Sequence, residues 1–157
     1  IRYEVCGIAE YSYPAGYYDL VVSNLALHYL ADLDDIYRKV FSTLRPGGVF
    51  LFNIEHPVFT AGVREDWVRD TEGRPVCWPV DNYYYPGERT TLFLGQEVKK
   101  QHHTLTQILM GLIRCGFVLE AVEEAMPDPS MLDLPGMADE MRRPMMLIVS
   151  ANKKVDR

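Results

Sequence analysis

The sequence predicts an α/β fold built on parallel strands, because two apolar runs flank one helical pattern. The first run, residues 20–23, is short and β-branched, and the second, residues 49–54, is almost entirely apolar. Such runs are typical of strands that are buried on both faces of a sheet. A strand, a helix and a second strand within about 40 residues predict a right-handed crossover with parallel strands. Ligands of open α/β sheets bind outside the carboxyl ends of such strands, so we expect a site there.

Length and composition restrict the class of protein. The 157 residues predict a single domain. The net charge is −6, and the sequence has no long basic run, so nucleic acid is disfavoured as the main partner. Three cysteines without a CxxC spacing favour a reduced, cytoplasmic protein over a disulfide framework or a thiolate zinc site. No apolar run approaches the roughly 20 residues of a membrane span, and no signal peptide is recognised, so no membrane partner is expected.

The amino-terminal elements are predicted from local patterns. Residues 2–8 alternate and are rich in β-forming types, so we expect a strand there. Pro14 and Gly16 mark a surface turn. A helix is predicted to begin after Asp32, an N-cap residue type, and to end at residues 45–48, which read Arg-Pro-Gly-Gly.

The clearest helical signal lies in the carboxyl-terminal half. Thr104 and Gln107 form a capping-box pattern ahead of an apolar stripe, and Gly116 marks the end of that helix. Strands are predicted over residues 117–122 and 144–151, with one or two helical turns around 137–142.

Residues 57–101 are different in character, and we expect an insertion there that acts as a substrate lid. They combine many aromatic residues with prolines and glycines and show no clean period, which predicts a long segment without regular structure. The aromatic content argues against disorder. Trp67, Trp78 and Tyr84 are candidates to cover a substrate, and a small separate core or a dimer surface is the alternative.

Four motifs in a fixed order carry a resemblance to a known family. They are Gly7-Ile8-Ala9, YDLVVS at residues 18–23, Leu27-His28-Tyr29, and LRPGG at residues 44–48. Together with the closing helix, the following Gly-Phe and the terminal strand, they resemble the small-molecule branch of the class I S-adenosylmethionine-dependent methyltransferases. No single motif is specific, but the order and spacing are. The resemblance implies a Rossmann-like sheet that ends in an antiparallel hairpin, S-adenosyl-L-methionine as cofactor and a small-molecule substrate.

Two features depart from the family pattern. The family's glycine-rich loop and the acidic residue after its second strand are not found, and they would lie upstream of Ile1. We therefore interpret residues 1–157 as a single truncated methyltransferase domain whose amino-terminal strands are missing. Residues 2–8 would then lack their neighbours, and we expect them to be displaced or paired across a homodimer. The family's aspartate before Ala9 is replaced by Ile8, with Glu10 as the substitute candidate.

The resemblance also implies the residues of the site. Cofactor-binding positions are Gly7, Ile8, Ala9, Glu10, Ser23, Asn24, Leu25 and Ala26. His28 and His56 follow the two buried strands, and a histidine titrates in the range that suits a general base. Packing or helix capping is the alternative for His28, and exposure is the alternative for His56.

Glu55 and His103 are the remaining substrate-binding candidates. For His103, and for His102 before it, a solvated helix entrance is the alternative. The histidines show no recognised metal-ligand spacing, so no metal site is predicted.

Two functions follow from these patterns. The first is methyl transfer from S-adenosyl-L-methionine to a small molecule. The rival is a non-catalytic, methyltransferase-like fragment that serves as an interaction or regulatory module. An α/β hydrolase is excluded because the sequence has no G-x-S-x-G elbow.

Overall fold

The computed structural model describes residues 1–62 and 64–155. Its strands are β1 (Tyr18–Asn24), β2 (Leu44–Glu55), β3 (Val68–Arg69), β4 (Pro75–Cys77), β5 (Gly87–Phe93), β6 (Gln96–His102), β7 (Phe117–Ala125) and β8 (Met146–Lys153). Its α-helices are α1 (Leu33–Thr43), α2 (Pro57–Thr60), α3 (Leu105–Cys115) and α4 (Met137–Glu140). Single 3₁₀ turns occur at Leu27–Tyr29 and Pro129–Met131. No helix in the described ranges is long and apolar enough to cross a membrane.

The main sheet has four strands in the order β1-β2-β8-β7. β1 pairs with β2 in parallel, whereas β8 is antiparallel to both β2 and β7. This arrangement confirms the predicted α/β sheet in which parallel strands are followed by an antiparallel hairpin. β1 lies at one edge of the sheet. Because β1 and β2 are parallel, their carboxyl ends lie side by side, and Asn24 of β1 is paired with Asn53 of β2.

α1 and α3 pack together on one face of this sheet. Side chains alternate along a strand, so Phe50, Phe52 and Ile54 of β2 all point to that face, where each is at most 1% exposed. Tyr37 of α1 lies at the centre of this core and is fully buried. The burial of these apolar groups is the main force that holds the helices to the sheet.

Both predicted helix starts are confirmed by their caps. The Asp35 N–H donates to Asp32 Oδ1 over 2.9 Å at the start of α1. Thr104 and Gln107 form the complete capping box at the start of α3, and Gly116 ends that helix with a φ of 103°. These signals are local, so they do not depend on the rest of the fold.

The predicted strand at residues 2–8 is wrong. Those residues form no strand, and Gly7 is instead the start of a turn in which its carbonyl accepts from the N–H groups of Glu10 and Tyr11. A strand is stable only when a neighbour pairs with it, and within the described residues β2 is the strand that pairs with β1. The segment is therefore displaced from the sheet. Displacement is one of the two outcomes expected for it, and pairing across a homodimer is the other.

The prediction that residues 57–101 lack regular structure is also wrong. The segment contains α2, a β3–β4 hairpin and a β5–β6 hairpin whose strands have seven residues each. Short irregular stretches conceal the period of these elements in the sequence. The β5–β6 hairpin lies against the 3₁₀ turn Leu27–Tyr29, so the insertion covers the carboxyl end of β1.

Candidate functional site

A cavity of about 460 Å³ lies against the edge of the sheet formed by β1. Its lining includes Ile8, Ser23, Asn24 and Ala26, which are four of the eight predicted cofactor-binding residues. Tyrosines and core residues complete the wall, among them Tyr11, Tyr13, Tyr18, Ile36, Val40 and Phe50. The volume is in the range of small-molecule and cofactor sites.

The turn at Gly7 closes one side of this cavity. The Tyr13 hydroxyl donates to the carbonyl of Ile8 over 2.8 Å, and Lys39 Nζ donates to the carbonyl of Ala9 over 3.0 Å. A Cβ atom on Gly7 would overlap the carboxylate of Glu10, so only glycine fits there without a shift of that side chain. The remaining predicted cofactor residues, Gly7, Ala9, Glu10 and Leu25, therefore flank the cavity rather than line it.

The carboxyl end of β1 carries the polar groups of the cavity. Ser23 is 9% exposed, and its Oγ has no hydrogen-bond partner among the residues that the structure describes. Leu25 follows with a φ of 54°, a conformation that turns the chain away from the strand. A buried hydroxyl without a partner costs free energy unless a ligand satisfies it. The residues present therefore fit a cofactor with polar groups.

A buried ionic cluster lies where β2 ends. Lys100 Nζ is 2.7 Å from Glu55 Oε1 and 3.0 Å from Glu65 Oε2. The three side chains are 2%, 9% and 7% exposed, respectively. Burial lowers the pKa of Lys100, but the hydrogen bonds that its ammonium donates to the two carboxylates, and their negative charge, outweigh burial, so the pKa is raised overall. Lys100 is therefore a buried ammonium ion held by two carboxylates.

His28 lies beside this cluster. The Glu55 N–H donates to His28 Nδ1 over 3.4 Å, and His28 Nε2 is 3.9 Å from Glu55 Oε1. Burial, followed by the charge of Lys100, lowers the pKa of His28 to about 4. The imidazole is therefore neutral near pH 7, and its contacts orient Glu55. A catalytic role for His28 stays a prediction.

The other predicted histidines make structural contacts. His56 caps α2, because its Nδ1 accepts from the Val58 N–H over 3.1 Å, while its Nε2 is 2.9 Å from Glu124 Oε1. Burial lowers the pKa of His56 despite that carboxylate. His103 is 7% exposed, and its Nε2 lies 2.8 Å from the carbonyl oxygen of Leu30.

The solvated alternatives for the histidines are therefore wrong. His56, His102 and His103 are all buried. His102 Nδ1 lies 2.7 Å from the hydroxyl of Thr60, and its Nε2 lies 2.8 Å from the carbonyl oxygen of Tyr83. Both ring nitrogens are thus used in holding the insertion together.

Three aromatic residues of the insertion pack together, whereas Tyr84 is exposed. Phe59 stacks on Trp78 at 5.1 Å between ring centroids, and Trp67 meets Trp78 edge to face at 5.5 Å. These rings line a second cavity of about 350 Å³, which Glu65 also lines. Tyr84, in contrast, is 85% exposed and lies outside this group.

Sequence reasoning missed Lys100 and Glu65. A signal existed for Lys100. Side chains alternate along a strand, so Lys100 and His102 point to the same face of β6, and that face is the buried one. No comparable pattern surrounds Glu65. Within residues 1–62 and 64–155, no group of three or more His, Cys, Asp or Glu side chains is arranged to hold a metal ion.

Comparisons with known proteins agree with the fold. A family model described as a methyltransferase domain matches residues 1–52. A crystal structure from Listeria monocytogenes, assigned to the S-adenosylmethionine-dependent methyltransferases, is 45% identical with a TM-score of 0.93, over 98% of this chain and 69% of that one. A second, from Mesorhizobium loti, is 41% identical with a TM-score of 0.86, over 96% and 69% of the two chains.

The fold and the cavity at the carboxyl end of β1 define a Rossmann-like α/β protein with a cavity at that edge of its sheet. The chain belongs to the S-adenosylmethionine-dependent methyltransferases. An uncharacterized protein of Haemophilus influenzae is 26% identical over 145 residues, and the chain spans 56% of the length of that relative.

Proposed function

We propose that the protein transfers a methyl group from S-adenosyl-L-methionine to a small-molecule acceptor. The observation that carries this proposal is the cavity beside β1, whose wall includes the unpartnered hydroxyl of Ser23. When bound, the cofactor supplies an electrophilic sulfonium methyl group. The protein's own task is to hold an acceptor in line with that group and to exclude water.

The residues divide into a cofactor side and an acceptor side. Ser23 and Asn24 would contact polar groups of the cofactor, while Ile8 and Ala26 would contact its apolar surface. With Ile8 at the family's aspartate position, the adenine amino group would meet backbone groups or Glu10 instead.

The acceptor side would lie beyond β2. Glu55 and His28 are buried at the carboxyl ends of neighbouring strands, and the insertion at 57–101 would serve as the lid. Trp67 and Trp78 would be its aromatic cover, and His103, which lies just before α3 and contacts the carbonyl of Leu30, remains a predicted substrate contact. His56 and the exposed Tyr84 remain predicted site residues that await a test.

Calorimetric titration of S-adenosyl-L-methionine into the complete gene product tests the proposal. We expect saturable one-to-one binding, which Ala26→Trp removes because the indole fills the cavity. Ala121→Trp, at an exposed position of β7, is the matched control and should bind normally. The absence of binding by the unmodified protein, or equal loss in both variants, would contradict the proposal.

The second candidate function is an interaction module, and one observation favours it. Leu20 and Val22 of the edge strand β1 are 54% and 58% exposed. Exposed apolar side chains beside a strand edge that no described residue pairs with are typical of a surface that another strand or protein covers. A homodimer would use this edge. If that dimer forms, Val22→Lys should disrupt it, and light scattering should give a lower mass for the variant than for the unmodified protein.

A cytoplasmic location also stays a prediction. Cys6, Cys77 and Cys115 are all free thiols.

A further inference from the structure

The ionic cluster at Lys100 is not balanced in charge. Glu55 and Glu65 share the single ammonium of Lys100, and His28, whose pKa is about 4, adds no positive charge near pH 7. Buried charges are stable only when they are paired and hydrogen-bonded. The cluster therefore retains one negative charge for a further partner.

Each of the two carboxylates also has an unused oxygen atom. Glu55 Oε2 and Glu65 Oε1 are buried and have no hydrogen-bond partner in the described part of the chain. Both side chains are more than nine-tenths buried, so bulk water does not replace the missing donor. A buried carboxylate oxygen without a donor is costly, which indicates that a ligand supplies one.

Glu65 connects this cluster to the cavity of about 350 Å³ that Phe59, Trp67 and Trp78 line. Each of the other charged residues around that cavity lies beside an opposite charge, although Arg143, whose guanidinium lies 4.4 Å from the Trp78 ring centroid, has no hydrogen-bond partner for its Nε within the described residues. Arg143 forms a bidentate pair with Glu140 at 2.7 and 3.1 Å. Of the remaining pairs, Arg69 lies 3.6 Å from Asp66, and Arg142 lies 2.9 Å from Asp139. The unmatched charge is therefore on the Glu65 side of the cavity.

Resting on the proposed function, we propose that this cavity binds a protonated amino group of the methyl-transfer substrate, and that Glu65, which lines the cavity and shares Lys100 with Glu55, receives its N–H donors. An ammonium group would supply both the missing positive charge and the missing hydrogen bonds. The aromatic walls would contact the apolar body of the same molecule. A carboxylate or phosphate in that place would face buried negative charge and is disfavoured.

Quenching of the fluorescence of Trp67 and Trp78, which both line the cavity, tests the assignment directly. The probes are phenethylamine and 3-phenylpropionate, which share an aromatic body and differ in the sign of their charge. We expect phenethylamine to bind at least about tenfold more tightly to the complete gene product, a difference of about 1.4 kcal/mol. Equal affinity, or preference for the carboxylate, would overturn the proposal without need of any variant.

Two variants show which residue carries the preference. Glu65→Gln should remove most of the selectivity for the amine, and Glu55→Gln should reduce it as well. Glu97→Gln, an exposed change of the same charge on β6, should retain it. Selectivity that survives Glu65→Gln would also overturn the proposal. The calorimetric titration with S-adenosyl-L-methionine is a separate readout, so an unmodified protein that binds the cofactor normally but shows no preference for the amine refutes this inference alone.

Discussion

Lys100 Nζ lies 2.7 Å from Glu55 Oε1, and this buried pair joins the insertion to the main sheet. Glu55 is the last residue of β2, whereas Lys100 belongs to β6 of the β5–β6 hairpin. The pair thus fixes the hairpin over the carboxyl end of the parallel strands, beside His28.

Replacement of Lys100 by methionine should destabilise the protein strongly. The variant leaves Glu55 and Glu65 buried without a counter-ion, and breaking a buried pair in this way costs about 3–5 kcal/mol. Urea denaturation followed by tryptophan fluorescence measures the loss. Lys99→Met is the control, since Lys99 is 71% exposed and its pair with Glu88 contributes about 1 kcal/mol or less. Similar losses in the two variants would show that the cluster at Lys100 is not structurally important.

Ser23→Ala should separate binding from stability. The hydroxyl has no partner in the described protein, so its removal should leave the free energy of unfolding unchanged or slightly higher. Cofactor affinity should fall by about 1 kcal/mol, because one hydrogen bond to the ligand is lost. Calorimetry with S-adenosylhomocysteine measures the second effect, and Ser42→Ala at an exposed position of α1 is the control. A stability loss with unchanged affinity would reverse the assignment of Ser23.

Stability should decrease as the pH is lowered from about 7 towards about 4. The pKa of His28 is lowered from 6.5 to about 4 in the folded protein, and burial also lowers the pKa values of His102 and His103. Between those pH values the unfolded chain binds protons that the folded protein does not, so acid favours unfolding. Each histidine contributes up to about 1.4 kcal/mol per pH unit.

Urea midpoints at pH 7 and pH 5 measure this dependence. His28→Gln should flatten this dependence, while the neighbouring change Tyr29→Phe, which leaves every histidine in place, should not. A midpoint that stays constant or rises on acidification would contradict the burial of these histidines.

Gly111→Ala should destabilise the contact between α1 and α3. A Cβ atom there would lie 2.9 Å from Cε2 of Tyr37, a core ring that has no room to move. The overlap should cost about 1–3 kcal/mol, which exceeds the helix-propensity gain of about 1 kcal/mol from replacing glycine by alanine. Thermal unfolding measures the net effect. Met110→Ala, on the exposed side of the same helix, should change stability little, and a stabilised Gly111→Ala would refute the close contact.

Local signals in the sequence predicted much of the fold. The cap at Asp32 and the capping box at Thr104 depend only on neighbouring residues, so both were correct. The apolar run at 49–54 identified the centre of β2, but β2 begins at Leu44, because the chain passes from α1 directly into the strand. Residues 2–8 have a strand pattern without a paired neighbour, and pairing cannot be read from the segment itself.

The two halves of the candidate site differ in how far they could be predicted. Ser23, Asn24 and Ala26 follow a recognisable strand, so their place in the cavity could be inferred. Glu65 could not, because glutamate is normally exposed, and the strand alternation around Lys100 does not by itself show that a lysine is buried. Their burial depends on a contact between segments 35 residues apart, which no local pattern reveals.

A crystal structure of the complete gene product with S-adenosylhomocysteine tests the central claim most directly. We expect the ligand to lie in the cavity beside β1 and to contact Ser23, Asn24 and Ala26. The turn at Gly7 should close over it. Density for the ligand at any other place, with this cavity empty, would contradict the account.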